Sequence, residues 1–451
     1  MRALSIELND RALAMARDGR LLSGAPSAVF DGSGAEAAGA AAWPALRRQP
    51  TAISTRHLGA IVSRGDRTSL MLALLNADLA LRLAEIEPTS GERVWVATPA
   101  RVDAEGLGDL LTLLRHLGLS VDGFIDAAAV TVAALHPGRN AIVVEMGLHH
   151  LAAVAVDSNG GTRRRGAVIS DRGGLLELYD AWLDLISAAM VKRTRFDPLR
   201  DAAGEQQLFD ALPAVTRAAA ATGGATAGVT VNDERFEVGL SRDQFAEAAD
   251  TTYREILRLI HALHPAGAAV ALVMPEIVAQ CPGLRERFES FTGCEQLVVP
   301  DGFAARATST LDLPQSGDAS TVRLLRRLPS GSNDELAALA TRESLGVERS
   351  AGPPASHVLF DGKAYTLNGA LLIGRAPDAP DSIRLPEGLA GISRRHCTLV
   401  RDGGEILLID HSRFGTVVNG ERVAGRVRVH AGDRIRLGDP GVELSLLALN
   451  A

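Results

Sequence analysis

The chain has 451 residues, room for two or three domains each with its own core. Its formal charge of −7 excludes a generally cationic, nucleic-acid-binding surface, though not a local basic patch. Aromatics make up only 4% of the residues, so the cores have to be built from Ala, Leu and Val. Three cysteines, Cys281, Cys294 and Cys397, are scattered and odd in number, a pattern of reduced thiols and not of a disulfide framework. Cys281 and Cys294 have neither the close pairing nor the neighbouring histidines of a zinc site. The opening Met1 to Glu7 lacks the long apolar core of a signal peptide, and no apolar run approaches the roughly 20 residues of a membrane span. A cytoplasmic location is expected.

From residue 1 to about 315, short apolar strands alternate with Ala- and Leu-rich helical stretches, an α/β pattern. Strands are predicted at Val94–Ala97, Ala141–Glu145, Leu151–Val156, Ala268–Met274 and Gln296–Val299. Helices are predicted at Ala104–Leu117 and Arg242–Leu263, where apolar residues recur every three or four positions. Asp103 and Ser241 stand where each would be capped. The basic run Arg163-Arg164-Arg165 is expected on a solvated loop, as is Arg326-Arg327. Trp43, Trp95 and Trp182 read as packing residues.

Residues 316–355 turn Ser-, Gly- and Pro-rich and read as a linker, with one short helix near Asn333–Arg342. From 356 to 451 short strands recur between Gly, Asn and Asp about every ten residues, the pattern of an all-β sandwich. They are predicted at His357–Phe360, Ala364–Leu367, Leu371–Gly374, Cys397–Val400 and Ile406–Ile409. Four more follow at Val417–Val418, Arg426–Val429, Arg434–Leu437 and Val442–Leu447.

Four signals fall in order within this last zone. Gly374-Arg375 closes a strand, and Ser393-Arg394-Arg395-His396 follows a Gly-containing loop. Asp410-His411-Ser412-Arg413-Phe414-Gly415-Thr416 comes next, then Val418-Asn419-Gly420. Over about 95 residues this ordered set resembles the forkhead-associated (FHA) family, a β-sandwich that reads phosphothreonine. A phosphate at neutral pH carries nearly two negative charges and three strong acceptor oxygens. Binding it takes a guanidinium and a small hydroxyl on loops at one end of a rigid scaffold. By resemblance Arg375 and Ser393 are those two groups, and Arg394 is a second cation. His396 resembles a residue that braces the loop from inside, with Gly374, Gly415 and Thr416, while Asn419 and Gly420 resemble hairpin turn-formers. The chain departs from the family at Arg413 and Phe414. The family usually has Asn at the latter position, hydrogen-bonded to the ligand backbone, and Phe cannot replace that bond. Arg413 instead offers charge to the phosphate, and losing the one bond costs roughly 0.5–1.5 kcal/mol. A sandwich that keeps the fold without the ligand is the alternative.

The first zone carries a softer resemblance. Pro26-Ser27-Ala28-Val29-Phe30, Val94 to Ala100, Phe124 to Val130, Arg172-Gly173-Gly174 and Val299 to Ala307 occur in the order found in the actin-like ATPases. The nearest of these is the nucleotide-binding domain of the heat-shock protein 70 family. The resemblance implies a two-lobed, ribonuclease H-like α/β fold. That family holds phosphates on two Gly-rich hairpins, where only Gly lets backbone N–H groups approach closely. At the first hairpin this chain has Glu7 where the family has Asp, followed by Asn9 and no Gly. At the second it has Glu145-Met146-Gly147-Leu148-His149-His150. The catalytic Lys position falls on Arg56, and Met274-Pro275-Glu276 replaces the adenosine-pocket glycines. With Gly173 and Gly174 these mark a degenerate cleft, so neither ATP nor magnesium is expected as a cofactor. Glu7, Glu145, His149 and His150 are metal-ligand types, but adjacent histidines on a strand point to opposite faces, and no metal site is expected.

These readings together imply a non-catalytic scaffold: a pseudo-ATPase body contacting one partner protein, and an FHA domain docking onto a threonine-phosphorylated one. A Ser/Thr kinase and its targets are the implied partner system, in a bacterium by composition, with no nucleic acid. Two alternatives stand, a divergent ATPase regulated by the FHA domain and an actin-like assembly factor for a secretion or pilus machine.

Overall fold

The computed structural model describes residues 4–30, 38–62, 66–89, 92–158, 160–264, 269–288, 291, 294–314, 322–328, 334–344, 355–386, 391–402, 405–413, 415–418, 421–423, 426–438 and 441–448. The chain divides into two compact units, Met1–Leu345 and Gly346–Ala451.

The first unit holds two six-stranded sheets with matching layouts. One begins with the antiparallel meander Leu4–Glu7, Leu13–Arg17 and Arg20–Ala25; Arg93–Thr98 and then Ser120–Asp126 add to its first strand in parallel. The other begins with the meander Ala141–Met146, Leu151–Asp157 and Arg163–Ser170; Ala271–Pro275 and then Glu295–Val299 add to its first strand in parallel. In both sheets the central strands are buried almost throughout, as near-continuous apolar runs such as Val94-Trp95-Val96-Ala97 require. The helix Ala127–Leu135 is apolar on every side, and it lies in a core shared with strands of both sheets and with the helix Phe303–Thr310. Asp126 caps it, its carboxylate accepting a bond from Ala129 N at 2.9 Å. A second core on the far side of the second sheet is filled from the helices Leu175–Thr194, Ala202–Thr222 and Asp250–Leu263.

Several sequence expectations need correction here. Arg242–Leu263 is two helices, Arg242–Ala248 and Asp250–Leu263, broken at Ala249 without Gly or Pro. Arg163 to Arg165 open the strand Arg163–Ser170, exposed and bulged between Arg164 and Gly166. Within the stretch read as a linker, Arg323–Leu325 adds in parallel to Ser120–Asp126, and Thr341–Ser344 pairs antiparallel with Glu295–Val299. A short helix at Asp334–Ala337 lies between them. Both strands are very short, and it is their pairing with a longer neighbour that makes them strands.

The second unit is a sandwich of a six-stranded and a five-stranded sheet. The first sheet runs Lys363–Thr366, His357–Phe360, Val442–Leu447, Arg434–Leu437, Thr416–Val418 and Glu421–Arg422; the second runs Ser382–Arg384, Ala370–Gly374, Cys397–Asp402, Glu405–Asp410 and Arg426–Val429. Alternation is visible in Arg434-Ile435-Arg436-Leu437, whose apolar members are buried and whose arginines are exposed. One apolar core joins the two sheets, with Ile373, Leu399, Leu408, Ile435 and Leu444 all fully buried.

Candidate functional site

In the second unit three connecting segments are tied together by backbone hydrogen bonds: the one after Ala370–Gly374, the one before Cys397–Asp402 and the one after Glu405–Asp410. Arg375 N donates to Ser393 O at 3.1 Å, and Ala376 N to Arg394 O at 3.0 Å. Gly374 is needed where the first two segments meet, since a Cβ there would lie 2.1 Å from the Arg394 carbonyl oxygen. His396 is fully buried beneath them. Its Nδ1 accepts from Ser393 N at 3.1 Å, and its Nε2 lies 3.3 Å from Gly415 O. That pattern is a neutral imidazole with the proton on Nε2, in keeping with the lowering of its pKa by burial.

The third segment is pinned by a residue the sequence reading did not single out. The Asp410 carboxylate accepts from Ser412 N at 2.9 Å, from Thr416 Oγ1 at 2.9 Å and from Thr416 N at 3.3 Å. Burial raises the Asp410 carboxyl, but the bonds from Ser412 and Thr416 outweigh it and hold its pKa below the usual carboxylate value. Ser412 Oγ in turn accepts from Gly415 N at 2.7 Å. The signal for this turn was present as Asp followed two residues later by Ser, the spacing of a side-chain-closed turn. Arg413 N donates to Ser393 Oγ at 3.2 Å, which links the second and third segments.

Arg375, Ser393, Arg394 and Arg413 therefore lie on segments bonded directly to one another. The three arginines are exposed and Ser393 is half-buried. Among the described residues, the guanidinium groups of Arg375 and Arg394 have no hydrogen-bond or ion-pair partner. Ser393 Oγ is used as an acceptor, so its own proton remains available to donate. A tetrahedral anion here would meet a charged fork and a hydroxyl donor. Phe414, Asn419 and Gly420 lie outside the described residues.

The positions singled out in the first unit fall in two places. Glu7, Asn9 and Glu145 line a cavity of about 70 Å³ together with Arg11, His150 and Asp301. Arg56 and Gly173 line another of about 290 Å³ with Arg47, His149 and Glu177. Gly147 lies at the turn between Ala141–Met146 and Leu151–Asp157. His149 and His150 lie in the same turn and not on a strand, which replaces the strand geometry assumed for them. His149 Nε2 is 2.9 Å from Thr55 Oγ1, and burial together with the Arg56 charge lowers its pKa to about 4. His150 instead packs toward Asp10, whose carboxylate accepts from Leu148 N at 2.8 Å. A Cβ at Gly147 would lie 2.1 Å from the His150 ring and 2.4 Å from Asp10, so these two side chains occupy the space in front of the turn. At Gly174 a Cβ would meet the Leu148 carbonyl at 2.7 Å, which packs the Gly173-Gly174 bend against the same turn.

Two carboxyls here have their pKa raised to near neutrality. Burial raises Glu7 to about 7, against a hydrogen bond from Ala305 N at 3.0 Å. Burial and the neighbouring Asp126 raise Glu145 to about 8. Sequence reasoning also missed Arg11, which donates to Met146 O at 3.1 Å and pairs with Asp301 at 2.5 Å. A further missed cluster is Ser27, His57, Asp78 and Arg82, all buried. Asp78 accepts from Ser27 at 2.5 Å and from Arg82 at 2.7 Å, and His57 Nε2 lies 2.8 Å from Ser27 Oγ and 2.9 Å from Asp78. One imidazole nitrogen faces both partners and solvent has no access, so this is a packing network and not a nucleophile with its base. Among the described residues no group of three or more His, Cys, Asp or Glu side chains is placed to hold a metal ion. Nor is any helix long and apolar enough to cross a membrane.

Residues 371–438 match the family model of the FHA domain. The flanking strands His357–Phe360, Lys363–Thr366 and Val442–Leu447 complete the same sandwich. No curated protein matches the chain. The C-terminal unit thus contains an FHA domain, a class that binds phosphothreonine-containing proteins, and the joined loops carrying Arg375 and Ser393 are its candidate ligand site.

Proposed function

We propose that this protein is a non-catalytic adaptor that docks through its FHA domain onto a threonine-phosphorylated partner, in the cytoplasm. Arg375 takes the phosphate charge, Ser393 donates its hydroxyl to a phosphate oxygen, and Arg394 and Arg413 add positive potential. The observation that carries this reading is the direct bond from Arg375 N to Ser393 O. It joins the backbones of two residues, one bearing an unpartnered guanidinium and the other a hydroxyl whose proton is unused. Binding of a phosphothreonine peptide to the full chain tests it. Arg375→Ala should weaken the complex ten- to a hundredfold, about 1.5–3 kcal/mol. Equal affinity for the unphosphorylated peptide would sink the proposal.

For the first unit the proposal is an actin-like, ribonuclease H-like body that has lost its ATPase chemistry and serves to contact a second protein. Support comes from the repeated sheet layout, three meander strands followed by two parallel ones, in both halves. Support for the loss of chemistry comes from the Gly147 turn. Asp10 and His150 fill the space before it, and the 70 Å³ cavity beside Glu7 and Glu145 is far below the few hundred Å³ of a usual small-molecule site. A divergent ATPase is the runner-up, favoured by the 290 Å³ cavity beside Arg56, an exposed residue whose guanidinium has no hydrogen-bond or ion-pair partner among the described residues.

A further inference from the structure

The arginine run Arg163 to Arg165 and the turn before Ala141–Met146 meet at one end of the second sheet of the first unit. A cavity of about 300 Å³ opens there, lined among others by Gly138, Arg139, Asn140, Arg165, Leu263 and Val270. Regular alternation along the strand would put Arg163 and Arg165 on one face. The bulge intervenes, because Arg164 pairs with Val156 and Gly166 with Ala155. Arg165 is thus the extra residue, and the bulge re-aims its side chain, here to the cavity wall.

This wall offers a ligand mostly hydrogen-bond donors. Arg139 and Arg165 are exposed, and among the described residues neither guanidinium has a hydrogen-bond or ion-pair partner. Asn140 Oδ1 accepts from Ser158 N at 3.3 Å, which orients the amide and leaves its NH2 group unspent. Carbonyls beside these donors are already used. Arg139 O accepts from Ser158 Oγ at 2.6 Å, Asn140 O from Ala271 N at 2.9 Å and Val270 O from Glu295 N at 3.2 Å.

No carboxylate is among the described lining residues. On the bordering elements, Asp157 pairs with Arg163 at 3.4 Å and Glu255 with Arg258 at 2.7 Å. Glu145 stands near the far end of its strand, and Glu295 stands with Leu297 on the face toward the helix Ala127–Leu135. One influence opposes an anion: Leu263 ends its helix, where the partial charge is about half a negative unit. Two full positive charges outweigh it.

We propose that this cavity is an anion site that takes a phosphate dianion, free or carried by a small metabolite. The phosphate oxygens are strong acceptors, and two guanidinium forks with an amide N–H are the donors that match them. At about 300 Å³ the cavity lies at the lower bound of small-molecule sites, so it admits a phosphate on a small body and not a nucleoside triphosphate. It opens at the other end of Ala141–Met146 from the Gly147 turn, and its described lining residues all belong to the first unit.

Isothermal titration calorimetry of the full chain with glycerol 3-phosphate tests the proposal, with inorganic phosphate and glycerol as comparison titrants. Glycerol 3-phosphate should bind and glycerol should not. Arg139→Ala and Arg165→Ala should each weaken binding about tenfold or more, as losing a charged hydrogen bond implies, while Arg375→Ala leaves it unchanged. Both arginines are exposed, so these variants should melt like the wild type. Arg165→Lys, which keeps the charge without the fork, should fall between wild type and Arg165→Ala. Inorganic phosphate binding as tightly as the ester identifies the free ion as the ligand, and weaker binding identifies the ester. Binding lost in Arg375→Ala but kept in Arg139→Ala and Arg165→Ala puts the anion on the FHA loops and overturns the inference. So does a lack of binding by either phosphate at millimolar concentration.

Discussion

Substituting Gly374 by Ala adds one methyl group at the place where two segments of the FHA site touch. Built on the present backbone, that methyl lies 2.1 Å from the Arg394 carbonyl oxygen, 2.8 Å from its carbon and 3.0 Å from His396 N. All three are backbone atoms, so no side chain can swing away. Relief takes a separation of about 1 Å or more, as overpacking of a rigid contact demands. The bonds at risk are Arg375 N to Ser393 O, Ala376 N to Arg394 O and His396 N to Ile373 O. Losing two of them costs about 1–3 kcal/mol of domain stability at roughly 0.5–1.5 kcal/mol each. Because the same bonds align Arg375 with Ser393, phosphopeptide affinity should fall about ten- to a hundredfold. Anisotropy with a phosphothreonine peptide, run below the melting temperature of the variant, measures the second effect separately from the first. Gly369→Ala is the control, since a methyl there meets nothing within 4 Å. If Gly374→Ala binds and melts like the wild type, the segments are not held together as described, and the pairing of Arg375 with Ser393 loses its basis.

The first unit yields two further expectations. MgATP at millimolar concentration should leave its melting temperature unchanged, because any species that bound only the folded state would raise it. A rise of several degrees would favour the divergent ATPase instead. Glu145→Gln should stabilise the unit in a pH-dependent way. The folded pKa of about 8 lies above the usual 4.5, so the unfolded chain releases this proton first and wild-type stability declines as pH rises from about 4.5 to about 8. The variant escapes that decline. Its advantage should be absent at pH 4 and reach about 1–2 kcal/mol by pH 8, discounted because Glu145 keeps partial exposure. Thermal melts at pH 4, 6 and 8 that show a constant gap would contradict this account.

What could be read from the sequence follows how local each cause is. Asp103 and Ser241 cap helices at their own positions, and both do so here, Asp103 accepting from Gly106 N at 2.7 Å and Ser241 closing a capping box with Gln244. Central strands such as Ala141–Met146 announce themselves by apolar runs, here Ala141 to Val144. Arg323–Leu325 and Ser382–Arg384 do not, since three residues carry no periodicity and each exists through a longer partner. The break at Ala249 has no Gly or Pro to signal it. Asp78 and Arg82 had a readable signal, opposite charges four apart in a mostly apolar helix, whereas nothing near His57 in sequence points to them.

The FHA site was legible for a different reason. Its ligand is a dense charge, and the groups that meet it must be a cation and a hydroxyl at fixed offsets from strand ends. The order Gly374-Arg375, Ser393 to His396, Asp410 to Thr416 therefore encodes chemistry and topology together. Under the reading proposed for the first unit, the same logic runs in reverse. A phosphate hairpin is recognised by what it lacks, side chains at the turn, and such a vacancy is easily filled. Here Asp10 comes from one meander and His150 from the turn of the other, and they meet in front of Gly147 from opposite sheets. No local pattern could report that meeting, because neither residue departs from what a surface turn ordinarily contains. An anion site built from side chains leaves a sequence signature, whereas one built from backbone amides is lost or kept according to which distant residues fold in front of it.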